Sequence, residues 1–176
     1  LITVLVHFLN RDGLLRGHLT TAHFYDLGKM LYVFNLFWAY IAFLQYLLVW
    51  YANLPEETSF YHIRSAQGWS GMVLVLIFGH LLIPTLFFMS RHAKMNLRVN
   101  LLMSLWILLM HGVDIYFIVL PNFHPTFTYF RPAEALALLG VGSLYLGFFL
   151  FYLGRAPLVP IGDPRLGESL AHGRNP

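Results

Sequence analysis

Four long apolar stretches, about 28–52, 68–90, 97–120 and 133–153, constrain this chain more than any other feature. A helix needs roughly 20 mostly apolar residues to cross a bilayer's hydrocarbon core, and each stretch has that length. Lipid offers no partner for a bare N–H or C=O, so a crossing segment must satisfy its own backbone and each stretch is expected to be a helix. Stop signals stand between the runs: Asn53-Leu54-Pro55, then Arg91 and Lys94, then Pro121, then Arg155-Ala156-Pro157. The expected fold is all-α, a polytopic membrane protein with a four-helix transmembrane bundle over 28–153. Residues 1–9, apolar but too short to span, read as the end of a truncated transmembrane helix. Residues 10–27 read as a connection, and 154–176, rich in Gly, Pro and charge, as an extended tail.

Composition agrees. With 58% hydrophobic and 11% charged residues, the 176-residue chain has too little polar surface to cover a globule in water. It has no cysteine, which excludes disulfides, thiolate zinc sites, iron–sulfur clusters and covalently attached c-type haem within the chain. The net charge of +3 comes from scattered loop residues with no basic stripe, so nucleic acid is excluded as a partner. Lys and Arg alternate between connections: Arg11, Arg16, Lys29, Arg91, Lys94, Arg98, Arg155, Arg165 and Arg174 on one side, against Arg64 and Arg131 on the other. By the positive-inside rule the 91–98 loop and the tail are expected to face the cytoplasm, with 53–67 outside.

Ionisable groups inside lipid are costly and mark functional sites. His111 and Asp114 are three residues apart on one face of the third span, with Tyr116 just beyond. His80 lies in the second span one turn before Pro84, which is expected to kink it. Gln45 and Tyr46 fall in the outer half of the first. His80, His111, Asp114 and Gln45 share a depth between the bilayer centre and the outer face, where such groups can bind a quinol headgroup or relay protons. The plainer reading is that His111 neutralises Asp114 within one helix and His80 is an interhelical hydrogen-bond donor. Two histidines on two spans, beside Gly79 and Gly112, also raise haem ligation; zinc lacks a third ligand at a suitable spacing. At the entrance to the first span, Thr20 or Thr21 can cap a helix that carries His23, Asp26 and Lys29, either a snorkelling, charged helix entry or a proton entry leading past Tyr32 and Asn35. Gly140, Gly142 and Gly147 in the fourth span are expected to permit close helix packing.

The runs His23-Phe24-Tyr25-Asp26-Leu27-Gly28-Lys29, Phe37 through Thr58, and Asp163-Pro164-Arg165-Leu166-Gly167-Glu168-Ser169-Leu170 resemble the polysulfide-reductase NrfD-like membrane subunits of bacterial alternative complex III, specifically the F subunits. The resemblance runs along the whole chain. It implies the C-terminal four-helix bundle of a subunit in a quinol:cytochrome c or quinol:electron-acceptor oxidoreductase, respiratory or photosynthetic, in the bacterial inner membrane. Implied partners are an NrfD-like C subunit, an iron–sulfur subunit and cytochrome c subunits, which carry the iron–sulfur clusters and haem c. In such complexes the quinol (menaquinol) site is assigned to the C subunit and a proton path to the F subunit.

Overall fold

In a computed structural model of the chain, the described residues are 1–15, 17–66, 68–124, 132–155, 157–160 and 162–173, and every regular element among them is helical. The elements are α1 (Ile2–Arg11), α2 (Thr21–Ala52), α3 (Pro55–Ser65), α4 (Ser70–Val75), a π-helical turn (Leu76–Leu82), α5 (Ile83–Met89), α6 (Arg91–Met95), α7 (Leu97–Val119), a 3₁₀ turn (Leu120–Asn122), α8 (Pro132–Leu153) and α9 (Leu166–Ala171). Four helical segments, Thr21–Ala52, Ser70–Met89, Leu97–Asn122 and Pro132–Leu153, are long and apolar enough to span a membrane. The chain divides into two compact units, 1–127 and 128–175.

In the first unit α2, the α4–α5 segment and α7 pack together. Helix α1 lies against α7, α6 crosses α2 at one end, and α3 folds over the other. Its exterior is apolar, with Phe34, Leu86 and Met89 each more than 60% exposed, while Asn35, His80, Asn100, Ser104 and Asp114 are buried with Phe24, Leu76, Phe88 and Met110. Lipid is as apolar as leucine, so apolar side chains gain little by turning inward there. Polar groups and small residues decide what packs. Gly28 is one such place: a Cβ there would stand 2.9 Å from Asn100 Oδ1 and 3.1 Å from the Lys94 side chain.

Three boundaries differ from the sequence reading. Helix α2 begins at Thr21, seven residues before the expected apolar span and at the cap expected of Thr20 or Thr21, and His23 closes a capping box there: Thr20 N–H donates to His23 Nδ1 at 3.1 Å, and the Thr20 hydroxyl lies 2.8 Å from the same nitrogen. Residues 53–67 are more than a loop. Asn53 ends α2 at φ 51°, and Pro55 with Glu56 and Glu57 in the first turn starts α3. The tail is not wholly extended: Asp163 Oδ1 accepts the Arg165 N–H at 2.8 Å, a turn that launches α9.

In the second unit none of the α8 residues is buried. A Cβ on Gly140, Gly142 or Gly147 meets nothing within 4 Å, so the close packing expected of these glycines is not made by the described residues.

Candidate functional site

The second span carries the feature that shapes the site. In the π-helical turn the Ile83 N–H donates to Phe78 O, five residues back, and so bypasses Gly79 O. The next residue, Pro84, has no N–H to offer. Gly79 O is thereby left without a donor on its own helix, and the Trp106 indole Nε1–H from α7 supplies one at 2.8 Å. Met110 of α7 fills the face of Gly79, where a Cβ would lie 2.7 Å from its sulfur. The turn, pinned from α7, points His80 into the unit, where only 2% of it is exposed.

Around His80 stand Trp38 of α2 and His111 and Asp114 of α7. The Trp38 and His80 rings meet edge to face with centroids 3.8 Å apart. Trp38 Nε1–H donates to Asp114 Oδ2 at 2.9 Å, and the carboxylate is 8% exposed. His111 lies nearly parallel to His80, 6.3 Å away, on the exposed side of α7. Asp114 turns inward to Trp38, so the pair expected on one helix face divides between interior and exterior. Both ring nitrogens of His80 are buried without a hydrogen-bond partner among the described residues. Burying a polar group unpartnered costs on the order of 1–3 kcal/mol, so its retention calls for a functional account. π-Helical turns within α-helices occur often at functional sites.

Toward the start of α2 the cluster continues along one face as Trp38, Asn35 and Tyr32, spaced by three residues. Asn35 Nδ2 donates to the Thr85 hydroxyl at 3.4 Å, and its buried Oδ1 has no donor among the described residues. Asp26 and Lys29 form an ion pair at 2.6 Å. His23 and Asp26 line a groove with Val6, Leu19, Leu27 and Met30, but the His23 Nδ1 is committed as the capping acceptor of α2.

Three candidates lie apart from this cluster. Tyr116, about 200° around α7 from Asp114 at about 100° per residue, packs on the buried Trp69 with ring centroids 6.0 Å apart. Tyr46 packs on Tyr61 at 5.2 Å, and Gln45 lines a groove with Val49, Glu57, Phe60 and Tyr61. Both belong to the α2–α3 contact, where burial pushes the Tyr61 hydroxyl pKa up.

Sequence reasoning missed Trp38, Trp106 and Arg64. An indole in a membrane span needs an acceptor, which was the available signal for the first two. Arg64, counted only as a loop charge, is 1% exposed. Its Nη1 donates to Phe60 O at 2.8 Å and its Nε to Phe117 O at 3.2 Å, while Nη2 donates to Ile118 O and to Asn122 Oδ1. The guanidinium thus caps the C-terminal carbonyls of α7 from another helix, at the negative end of its dipole. Burial lowers its pKa from the usual value, yet a guanidinium stays charged in proteins.

Among the described residues no group of three or more His, Cys, Asp or Glu is placed to hold a metal ion. A haem between His80 and His111 fits poorly, since Met110 occupies the Gly79 face against which a porphyrin would lie. No protein-family model matches this chain, and no curated protein matches its sequence.

Proposed function

We propose that this chain is an integral membrane subunit of a quinol:electron-acceptor oxidoreductase of the alternative complex III type, supporting quinol oxidation and moving protons through Asp114, His80 and His111. The observation that carries the reading is His80: a buried imidazole with both nitrogens unpartnered among the described residues, held by a π-helical turn beside a carboxylate whose hydrogen-bond partner is an indole. Imidazole exchanges protons near neutral pH, and a carboxylate with one neutral donor can accept a proton, so together they form a relay element. The stripe Tyr32–Asn35–Trp38 supports a route from the Asp26–Lys29 end of α2, with His23 acting as a helix cap. The resemblance over 23–29, 37–58 and 163–170 supports the oxidoreductase context, in which iron–sulfur clusters and haem c reside in partner subunits and electron transfer occurs there.

The test is Asp114→Asn in the intact complex. It keeps the shape and the acceptor for Trp38 but cannot ionise, and proton translocation per electron is expected to fall about a hundredfold, the scale of a lost acid–base group. Unchanged translocation would sink the assignment. A second reading, a scaffold that anchors redox partners, is favoured by Arg64, a buried charge whose hydrogen bonds go to backbone carbonyls and Asn122 and whose guanidinium lies on the Phe60 ring, contacts that serve architecture. Under that reading His111→Ala and Asp114→Ala alter assembly and leave the turnover of assembled complex intact.

A further inference from the structure

Where α2 begins, three cations gather about one ring. Lys29 Nζ lies 4.7 Å, Lys94 Nζ 5.8 Å and the Arg91 guanidinium carbon 5.9 Å from the centroid of Tyr25. Lys94 Nζ is also 5.3 Å from the centroid of Tyr32. Gly28 permits this arrangement. Its bare backbone lets the Lys94 stem lie across α2 midway between Tyr25 and Tyr32, which are two helical turns apart. Asn100, fully buried, fixes α6 to α2 by donating from Nδ2 to Lys94 O at 2.6 Å and to Phe24 O at 2.9 Å. The Lys94 ammonium is therefore delivered to a set position over two aromatic faces.

Asp26 pairs with Lys29 and offsets one of the three charges. Arg91 and Lys94 remain, and aromatic faces alone do not cancel the repulsion between them. The depth of the cluster indicates what does. With 32 residues, α2 is roughly 48 Å long against about 30 Å of hydrocarbon, so its first turns reach the headgroup layer. Basic pockets between spanning helices at that depth suit anionic headgroups.

We propose that Lys29, Arg91 and Lys94, on the platform of Tyr25 and Tyr32, bind the phosphodiester headgroup of an anionic phospholipid. The site lies away from the His80 cluster; it shares Lys29 and Tyr32 with the entrance of the route proposed there, and its test reads lipid binding and not proton movement.

The test uses the full chain, purified in a neutral detergent and titrated by native mass spectrometry with phosphatidylglycerol, phosphatidylcholine and inorganic phosphate. Phosphatidylglycerol is expected to bind at least about tenfold more tightly than phosphatidylcholine, and the double variant Arg91→Gln/Lys94→Gln to lose about thirtyfold. Gly28→Ala, which changes no charge, is expected to weaken binding because it displaces Lys94. Arg98→Gln, which removes an exposed charge outside the cluster, is expected to change it less than about twofold. Equal binding of the two lipids, or an Arg98→Gln loss as large as that of the double variant, would overturn the proposal. So would saturable binding of inorganic phosphate at these residues with no preference between the lipids, which would assign the site to a soluble phosphate. Should the double variant fail to fold, Arg91→Gln alone, at an exposed side chain, carries the same test with a loss of about fivefold.

Discussion

Helices α7 and α8 are near twins by length and hydropathy, at 23 and 22 residues, yet they behave differently. Helix α7 buries Asn100, Ser104, Met110 and Asp114, whereas α8 buries nothing. What separates them is where their polar side chains go. On α7, Asn100 reaches the Phe24 carbonyl of α2 and Asp114 accepts from Trp38 of α2. On α8, Ser143 donates to Gly140 O of its own helix at 2.9 Å. Apolar residues bring both helices into the membrane without fixing their neighbours. Hydrogen bonds that cross between helices are what tie α7 into its unit.

The comparison can be broken or sharpened by substitution, with stability read as thermal or denaturant unfolding of the purified chain in detergent. The largest loss is expected from Arg64→Ala, which strips the guanidinium cap from α7 and removes the side-chain donor to Phe117 O, while Ile118 O keeps Asn122 Nδ2, about 3 kcal/mol. A loss below about 0.5 kcal/mol would show that α7 holds its place without that cap. Next is Asn100→Ala, which removes two interhelical hydrogen bonds and should cost about 1.5 kcal/mol; an unchanged midpoint would mean that polar links do not anchor α7. Trp38→Phe keeps the ring against His80 but removes the donor to Asp114, with an expected cost of about 1 kcal/mol. Proton translocation should fall with it in the intact complex, and full retention would separate Trp38 from the relay. The smallest effect belongs to α8: Leu139→Ala, at a residue 68% exposed, should change stability by less than about 0.5 kcal/mol. A loss as large as that of Asn100→Ala would erase the contrast between the two helices.

The spanning segments could be read from the sequence because a run of about 20 apolar residues has few other solutions. His80 and Asp114 could be singled out for the same reason, since a charge or imidazole stands out against leucine and phenylalanine. Their partners could not. That Asp114 faces Trp38 and not His111 depends on the rotation of α7 against α2, which a three-residue spacing does not encode. The start of α2 at Thr21 was legible from Thr20 as a cap; the part of His23 in it was not, because His23 stands where a Glu or Gln ordinarily completes a capping box. Just before Pro84, where a kink was expected, the span makes a wide turn, and Trp106, 22 positions after the proline, offers the stranded carbonyl another donor. The π-helical turn thus depends on a proline and a tryptophan that no local pattern connects.

That wide turn also changes the arithmetic of the second span. Within its first part, Leu76 and His80 face inward four residues apart; across its end, inward-facing Gly79 and Pro84 are five apart; after it, Pro84 and Phe88 return to four. One surplus residue has been wound in, and everything downstream is set back by about 100° relative to an unbroken α-helix. The two halves of the span therefore run on separate phases in the sequence, and the wide turn that absorbs the extra residue is what keeps both aimed at the same neighbours. Removing a single position between Gly79 and Pro84 would bring those two to the four-residue spacing of an unbroken α-helix with Phe88 still facing inward, so the wide turn can be deleted without re-aiming the span, whereas one residue removed between Pro84 and Phe88 would turn Phe88 toward lipid.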